Sequence, residues 1–175
     1  MEGGSVNTLL IGNIIGFIGA LSMVLVGLQK NKKNILVAQN IQMFLLTISN
    51  LILGGITGAI VNIIGIFRNY LCIKDKLNPF WIENITIATV LLGVLCNTDG
   101  IIGYLPCIAT LIFLFCMNMK DVITFKYIIG FIMLLWFVYD MCIMSYTTAI
   151  FDIVTFFTTM VTIKELKDKK KVKNA

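Results

Sequence analysis

The chain has 175 residues, 58% of them hydrophobic and 13% charged, with a formal net charge of +5. Soluble domains carry about 25% charged and about 45–50% apolar residues, so this composition excludes a water-soluble domain and describes an integral membrane protein. No histidine occurs, which removes His-ligated haem, the usual zinc sites and His-activated nucleophiles.

A spanning helix takes about 20 apolar residues. The apolar runs, taken in chain order, predict spans over 7–29, 35–53, 56–73, 80–96, 100–118, 122–143 and 147–163. The first is read as a retained span rather than a signal peptide. Its start, Met1-Glu2-Gly3-Gly4-Ser5, is not basic, and no small-residue cleavage site precedes the lysines at 30–33. Lys30, Lys32 and Lys33 follow the first span, Arg68, Lys74 and Lys76 end the third, Lys120 and Lys126 lie between the fifth and sixth, and Lys164 to Lys173 form a tail. Seven spans put all of these on one side, the cytoplasm by the positive-inside rule, with the N-terminus outside and the C-terminus inside. Six spans would leave one basic cluster on the wrong side. The basic residues therefore answer to topology and anionic lipid, with no nucleic-acid partner, and the outer loops are too short for a soluble function. Cys72, Cys96, Cys107, Cys116 and Cys142 are scattered through apolar runs without a C-x-x-C pair and read as packing residues.

Spans three and seven align at one constant offset. Thr57-Gly58-Ala59-Ile60-Val61-Asn62 falls against Thr147-Thr148-Ala149-Ile150-Phe151-Asp152, and Ile73-Lys74 against Ile163-Lys164. The same offset sets Asn50 against Asp140, and a short gap sets Gly16-x-x-Gly19 against Gly103-x-x-Pro106. The expected fold is all-α, with two parallel three-helix bundles at 7–76 and 100–165, a linker helix at 77–99 and a basic tail at 166–175. Three spans alone would invert the second unit, and the fourth restores its orientation, giving a pseudo-two-fold along the membrane normal.

This 3+1+3 order resembles the SWEET and PQ-loop transporter superfamily. The stretch Gly58-Ala59-Ile60-Val61-Asn62-Ile63-Ile64-x-x-x-Arg68-Asn69, followed by Lys74-Asp75-Lys76, is similar to the YgjV family of bacterial inner-membrane proteins. The resemblance implies a multi-pass protein of the bacterial cytoplasmic membrane. It also implies a central pocket lined by Asn62 and Asp152, with Trp136 as the neighbouring aromatic. No Pro-Gln pair occurs, Gly19 stands opposite Pro106, and one pocket Asn is Asp.

Independently of resemblance, an Asp at the centre of a span costs about 2.5–3.5 kcal/mol on insertion scales and turns toward the bundle interior. Asp140 and Asp152, with Asn50 and Asn62 at equivalent depth, are expected to meet near the two-fold axis as a polar site. There Asn62 and Asp152 would hold hydroxyl or amine groups, Trp136 would stack on an apolar face, and Asn50 and Asp140 would flank or gate. The alternative is interhelical glue. Arg68 could close the inner mouth, although snorkelling to the interface explains it more simply, and Pro106 could kink the fifth span where a rocking bundle bends.

These readings lead to a transporter of a small polar solute, a sugar or metabolite, working by alternating access. Its expected partners are the lipid bilayer and the solute, and a homodimer is allowed. A non-transporting accessory or immunity protein is the second reading. An intramembrane aspartyl enzyme ranks below both, because Asp152 sits in Ile-Phe-Asp-Ile rather than Gly-x-Gly-Asp. The chain is read as no enzyme, with no catalytic residue, metal or cofactor.

Overall fold

The computed structural model describes residues 2–117 and 119–174. Asn118, at the end of the fifth expected span, and the side chains of Lys171 and Lys173 in the expected tail lie outside the described residues. Among the described residues seven helices follow one another: α1 (Glu2–Leu28), α2 (Lys32–Leu53), α3 (Ile56–Ile73), α4 (Pro79–Leu95), α5 (Tyr104–Cys116), α6 (Val122–Cys142) and α7 (Tyr146–Asn174). Five of them, α1, α2, α3, α6 and α7, are long and apolar enough to cross a membrane.

Local chemistry sets the boundaries. Asn31 caps α2 by accepting a hydrogen bond from the Lys33 amide at 2.9 Å, and Asp121 caps α6 by accepting one from the Thr124 amide at 3.0 Å. Asn78 caps α4 through the Trp81 amide, with Pro79 in the first position, where its missing N–H costs nothing. The α2–α3 and α6–α7 corners share one hydrogen-bond pattern. Gly55 N donates to Asn50 O and Ser145 N donates to Asp140 O, both at 2.8 Å. The preceding residue is left-handed in each corner, Gly54 at φ 84° and Met144 at φ 59°. Glycine adopts that conformation freely, whereas methionine is strained in it.

Two elements differ from the expected spans. The fifth is a helix of 13 residues, about 20 Å long at about 1.5 Å per residue, because Gly100 is left-handed at φ 63° and residues 101–103 are spent on a turn. The seventh runs on through the basic tail as a single helix of 29 residues.

Around the molecule, α1 packs on α2 and α7, α2 on α3, α3 on α5, α5 on α6, and α6 on α7. Six helices thus close a ring, with α4 outside it against α3 and α5. The ring is apolar without and mixes polar with apolar side chains within. Leu10, Ile14, Phe44, Ile63, Phe115, Ile150 and Phe157 are exposed, while Gln39, Asn62, Arg68, Lys126, Asp140 and Asp152 are buried. Since lipid tails are as apolar as leucine, such helices associate through close packing and interhelical hydrogen bonds. Gly16 illustrates both: a Cβ there would lie 2.9 Å from Ser49 Oγ on α2 and 3.2 Å from Thr148 Oγ1 on α7, and one turn away Ser49 Oγ donates to Gly12 O at 2.8 Å.

Candidate functional site

Inside the ring lies a cavity of about 30 Å³, room for about two waters. It is lined by α2, α3, α5, α6 and α7. Equivalent positions of the two aligned segments face it together: Asn62 and Asp152, Leu46 and Trp136, Met43 and Met133, Gln42 and Ile132. The cavity therefore sits where the two halves of the chain meet.

Asn62, Asp140, Asp152, Trp136 and Arg68 all line this space, and Asn50 and Pro106 do not. Asn50 is buried at the end of α2, where its side-chain nitrogen crowds Gly58: a Cβ on Gly58 would lie 2.7 Å from it. Pro106 is the third residue of α5, within the first turn, whose amides have no intrahelical partner in any case. It starts that helix, and the expected kink has no place there.

Arg68 corrects its expectation outright. Rather than snorkelling to the interface, the side chain is 1% exposed. Its Nε and Nη2 donate to Asn69 Oδ1 at 3.2 and 3.0 Å, and its Nη1 donates to Thr110 O on α5 at 3.3 Å. The guanidinium lies over the Phe113 ring, 4.4 Å from its centroid. It is held by amide, carbonyl and aromatic groups and faces no carboxylate; the one ion pair among the described residues joins Lys30 to Glu165 at 2.5 Å. Lys126, expected among the loop charges, is also buried, its Nζ donating to Gly27 O at the end of α1 at 2.7 Å.

The acidic side is equally enclosed. Asp140 and Asp152 are 2% and 1% exposed, and close enough for each to act on the other's charge. Both oxygens of Asp152, Oδ1 of Asp140 and Nδ2 of Asn62 have no hydrogen-bond partner within the protein. Carboxylates only accept, so neither satisfies the other unless a proton lies between them. Buried polar atoms are ordinarily paired; these four line the small cavity, while Asn40 Oδ1, Thr57 Oγ1, Thr155 Oγ1 and Thr159 Oγ1 are likewise unpaired away from it.

Several residues of the site escaped the sequence reading. Gln39 and Gln42 line the cavity from α2, and Asn69 links Arg68 to Gln39 through a 3.4 Å bond from its Nδ2 to Gln39 Oε1. Along α7, Thr148, Asp152, Thr155, Thr159 and Thr162 recur every three or four residues and are all buried, a polar stripe down one helix face. Tyr139, fully buried, crosses between halves: it accepts a hydrogen bond from Gly58 N at 3.1 Å and donates to Asp99 Oδ2 at 3.0 Å. Trp136 meets the Tyr139 ring edge-on, centroids 5.8 Å apart. The three- and four-residue spacing of the threonines was the signal that could have found the stripe.

No curated protein and no solved structure matches the chain. The model of a family of bacterial inner membrane proteins, Imp-YgjV, matches residues 10–170. That match takes in most or all of every ring helix and every residue of the cavity, and it agrees with five helices apolar enough to span. The chain belongs to the YgjV family and is a multi-pass protein of the bacterial inner membrane.

Proposed function

We propose that the protein carries a small polar solute across the inner membrane by alternating access, with Asn62, Asp140, Asp152 and Trp136 as its central site. The observation that carries this reading is the set of unmet polar atoms on a cavity lined by five helices of the ring. Their convergence on one space, from α3, α6 and α7, is what separates them from the unpaired threonine hydroxyls elsewhere in the ring.

In this reading the chain crosses seven times, with the N-terminus outside and the C-terminus inside. Helices α1–α3 and α5–α7 form two parallel bundles joined by α4, a frame related to the SWEET and PQ-loop transporters. Support comes from the lysines gathered at one end of the bundle and from the matching corners at the other. Two caps, Asn31 and Asp121, also stand at the same offset as the corners. The cavity is too small for a sugar or metabolite in this conformation. At the corner end the Tyr139 bridge ties α3 to α6 and to the α4–α5 loop. At the basic end Arg68 ties α3 to α5, and Lys126 with Thr162 ties α6 and α7 to Gly27 of α1. Rocking one bundle against the other would break one set while keeping the other.

The test is uptake of labelled sugars, amino acids and small metabolites into proteoliposomes, comparing the native chain with Asp152→Ala and Asn62→Ala. Saturable uptake that falls at least tenfold in both variants, with the helical content retained, is expected. Undiminished flux in both, or a folded protein that moves no member of the panel, contradicts the proposal.

A further inference from the structure

The solute's chemical class can be read from the charges on the cavity wall, an inference that rests on the transport reading above. The cavity carries a buried cation, Arg68, and two buried carboxyls, Asp140 and Asp152. Neither sign is neutralised by the other, since no ion pair joins them. Isolated buried charges cost several kcal/mol each, and a chain that tolerates both signs on a single cavity without pairing them has left that pairing to something else.

The remaining hydrogen-bond capacity is complementary. A guanidinium has five N–H donors in a planar fork, and three of Arg68's bonds are to Asn69 and Thr110, which leaves donors for a planar, bidentate acceptor such as a carboxylate. The acceptors Asp152 Oδ1, Asp152 Oδ2 and Asp140 Oδ1 have no donor in the protein, which suits an ammonium with its three hydrogens. One proton shared by the carboxyl pair would occupy one oxygen of each, leave the other two to accept from an ammonium, and leave one positive and one negative charge on the wall, so a guest with one of each closes the balance. A sugar would leave both charges uncompensated. The rest of the wall carries no charge, since Leu46, Phe113, Ile132, Met133 and Trp136 are apolar and Gln39, Gln42, Asn62, Thr110 and Thr148 are neutral, and it offers a side chain no charged partner.

We infer that the site takes a small zwitterion, a neutral α-amino acid or a close analogue, with its carboxylate toward Arg68 and its ammonium toward Asp140 and Asp152. The native full-length chain in proteoliposomes tests this without relying on a variant that folds poorly. Uptake of labelled glycine, alanine and serine is measured beside labelled glucose, xylose and lactate. Uptake is then competed with alanine, alanine methyl ester, which lacks the carboxylate, and N-acetylalanine, which lacks the ammonium. Saturable uptake of an amino acid, with both analogues at least tenfold weaker competitors than alanine, is the expected result. Arg68→Gln should narrow the gap between alanine and its methyl ester, and Arg68→Lys should restore part of it, a pattern that a structural role for Arg68 would not produce. Uptake of a sugar with none of an amino acid overturns the zwitterion and leaves transport standing, as does equal competition by either analogue. Uptake of nothing in the panel overturns both.

Discussion

The two halves of the ring, α1–α3 and α5–α7, share a frame and differ in what they hang on it. Asn31 and Asp121 open their second helices with side-chain caps at equivalent positions, and Asn50 O and Asp140 O close them by the same 2.8 Å bond. Between those ends the chemistry diverges. The first half turns Gln42, Leu46, Asn62 and the cation Arg68 to the cavity, and the second answers with Ile132, Trp136, Asp152 and the extra acid Asp140. Backbone caps and corners have set the shape of the enclosure, and substitution at equivalent positions has given it electrical polarity, neutral amides and a cation facing two acids and an indole.

Making one half imitate the other breaks this comparison in graded steps. The largest effect is expected where the acids go: Asp152→Asn and Asp140→Asn together copy the amides of the first half. They should lower saturable uptake at least tenfold while thermal unfolding in detergent stays at or above the native temperature, because two buried carboxyls are removed. Undiminished uptake would mean that the acidic side does not bind solute. Next comes Lys126, whose counterpart is Leu36. Lys126→Met removes a buried charge of similar volume, and Gly27 O keeps its 3.1 Å bond from Thr162. Stability should therefore hold or rise by up to about 1–4 kcal/mol, and a clear fall would show that the ammonium is a keystone of the α1–α6 contact.

Tyr139, opposite Ser49, tests the closure at the corner end. Tyr139→Phe strips a hydroxyl that bonds Gly58 N and a carboxylate, a loss of about 1–3 kcal/mol, and should also raise labelling of the cavity from the outer face. Unchanged stability would mean the bridge is incidental. The smallest change is Met144→Gly, which gives the second corner the glycine of the first. Relief of the left-handed strain at φ 59° should stabilise by up to about 1 kcal/mol, and a lower unfolding temperature would contradict the strain.

Much of the frame was legible in advance. The third span was expected at 56–73 and found as Ile56–Ile73, because Gly54-Gly55 and Lys74-Asp75 interrupt the apolar run on either side. The fifth was read too long, since Ile101 and Ile102 are as apolar in a turn as in a helix and hydropathy does not distinguish the two. Depth was legible for Asp140 and Asp152, where an acid in an apolar run has to turn inward. For Arg68 and Lys126 it was not. Each lies within two turns of a helix end, where a long cationic side chain can reach water or fold back along the bundle, and only the neighbours Thr110, Phe113 and Gly27, distant in sequence, decide between those routes. Gln39, Gln42 and Asn69 were passed over because a neutral amide in an apolar run carries no sign of which face it takes.

The central claim is that the cavity between the halves is reached in turn from both faces of the membrane. Met43 and Met133 occupy equivalent positions on its wall, so Met43→Cys and Met133→Cys, each in a chain whose five cysteines are replaced by serine or alanine, report on it directly. With an impermeant thiol reagent, the account predicts labelling of both positions in right-side-out and in inside-out vesicles, reduced by transported solute. Labelling from neither face, or from one face alone, would contradict alternating access and leave the buried Asn and Asp side chains as glue between helices.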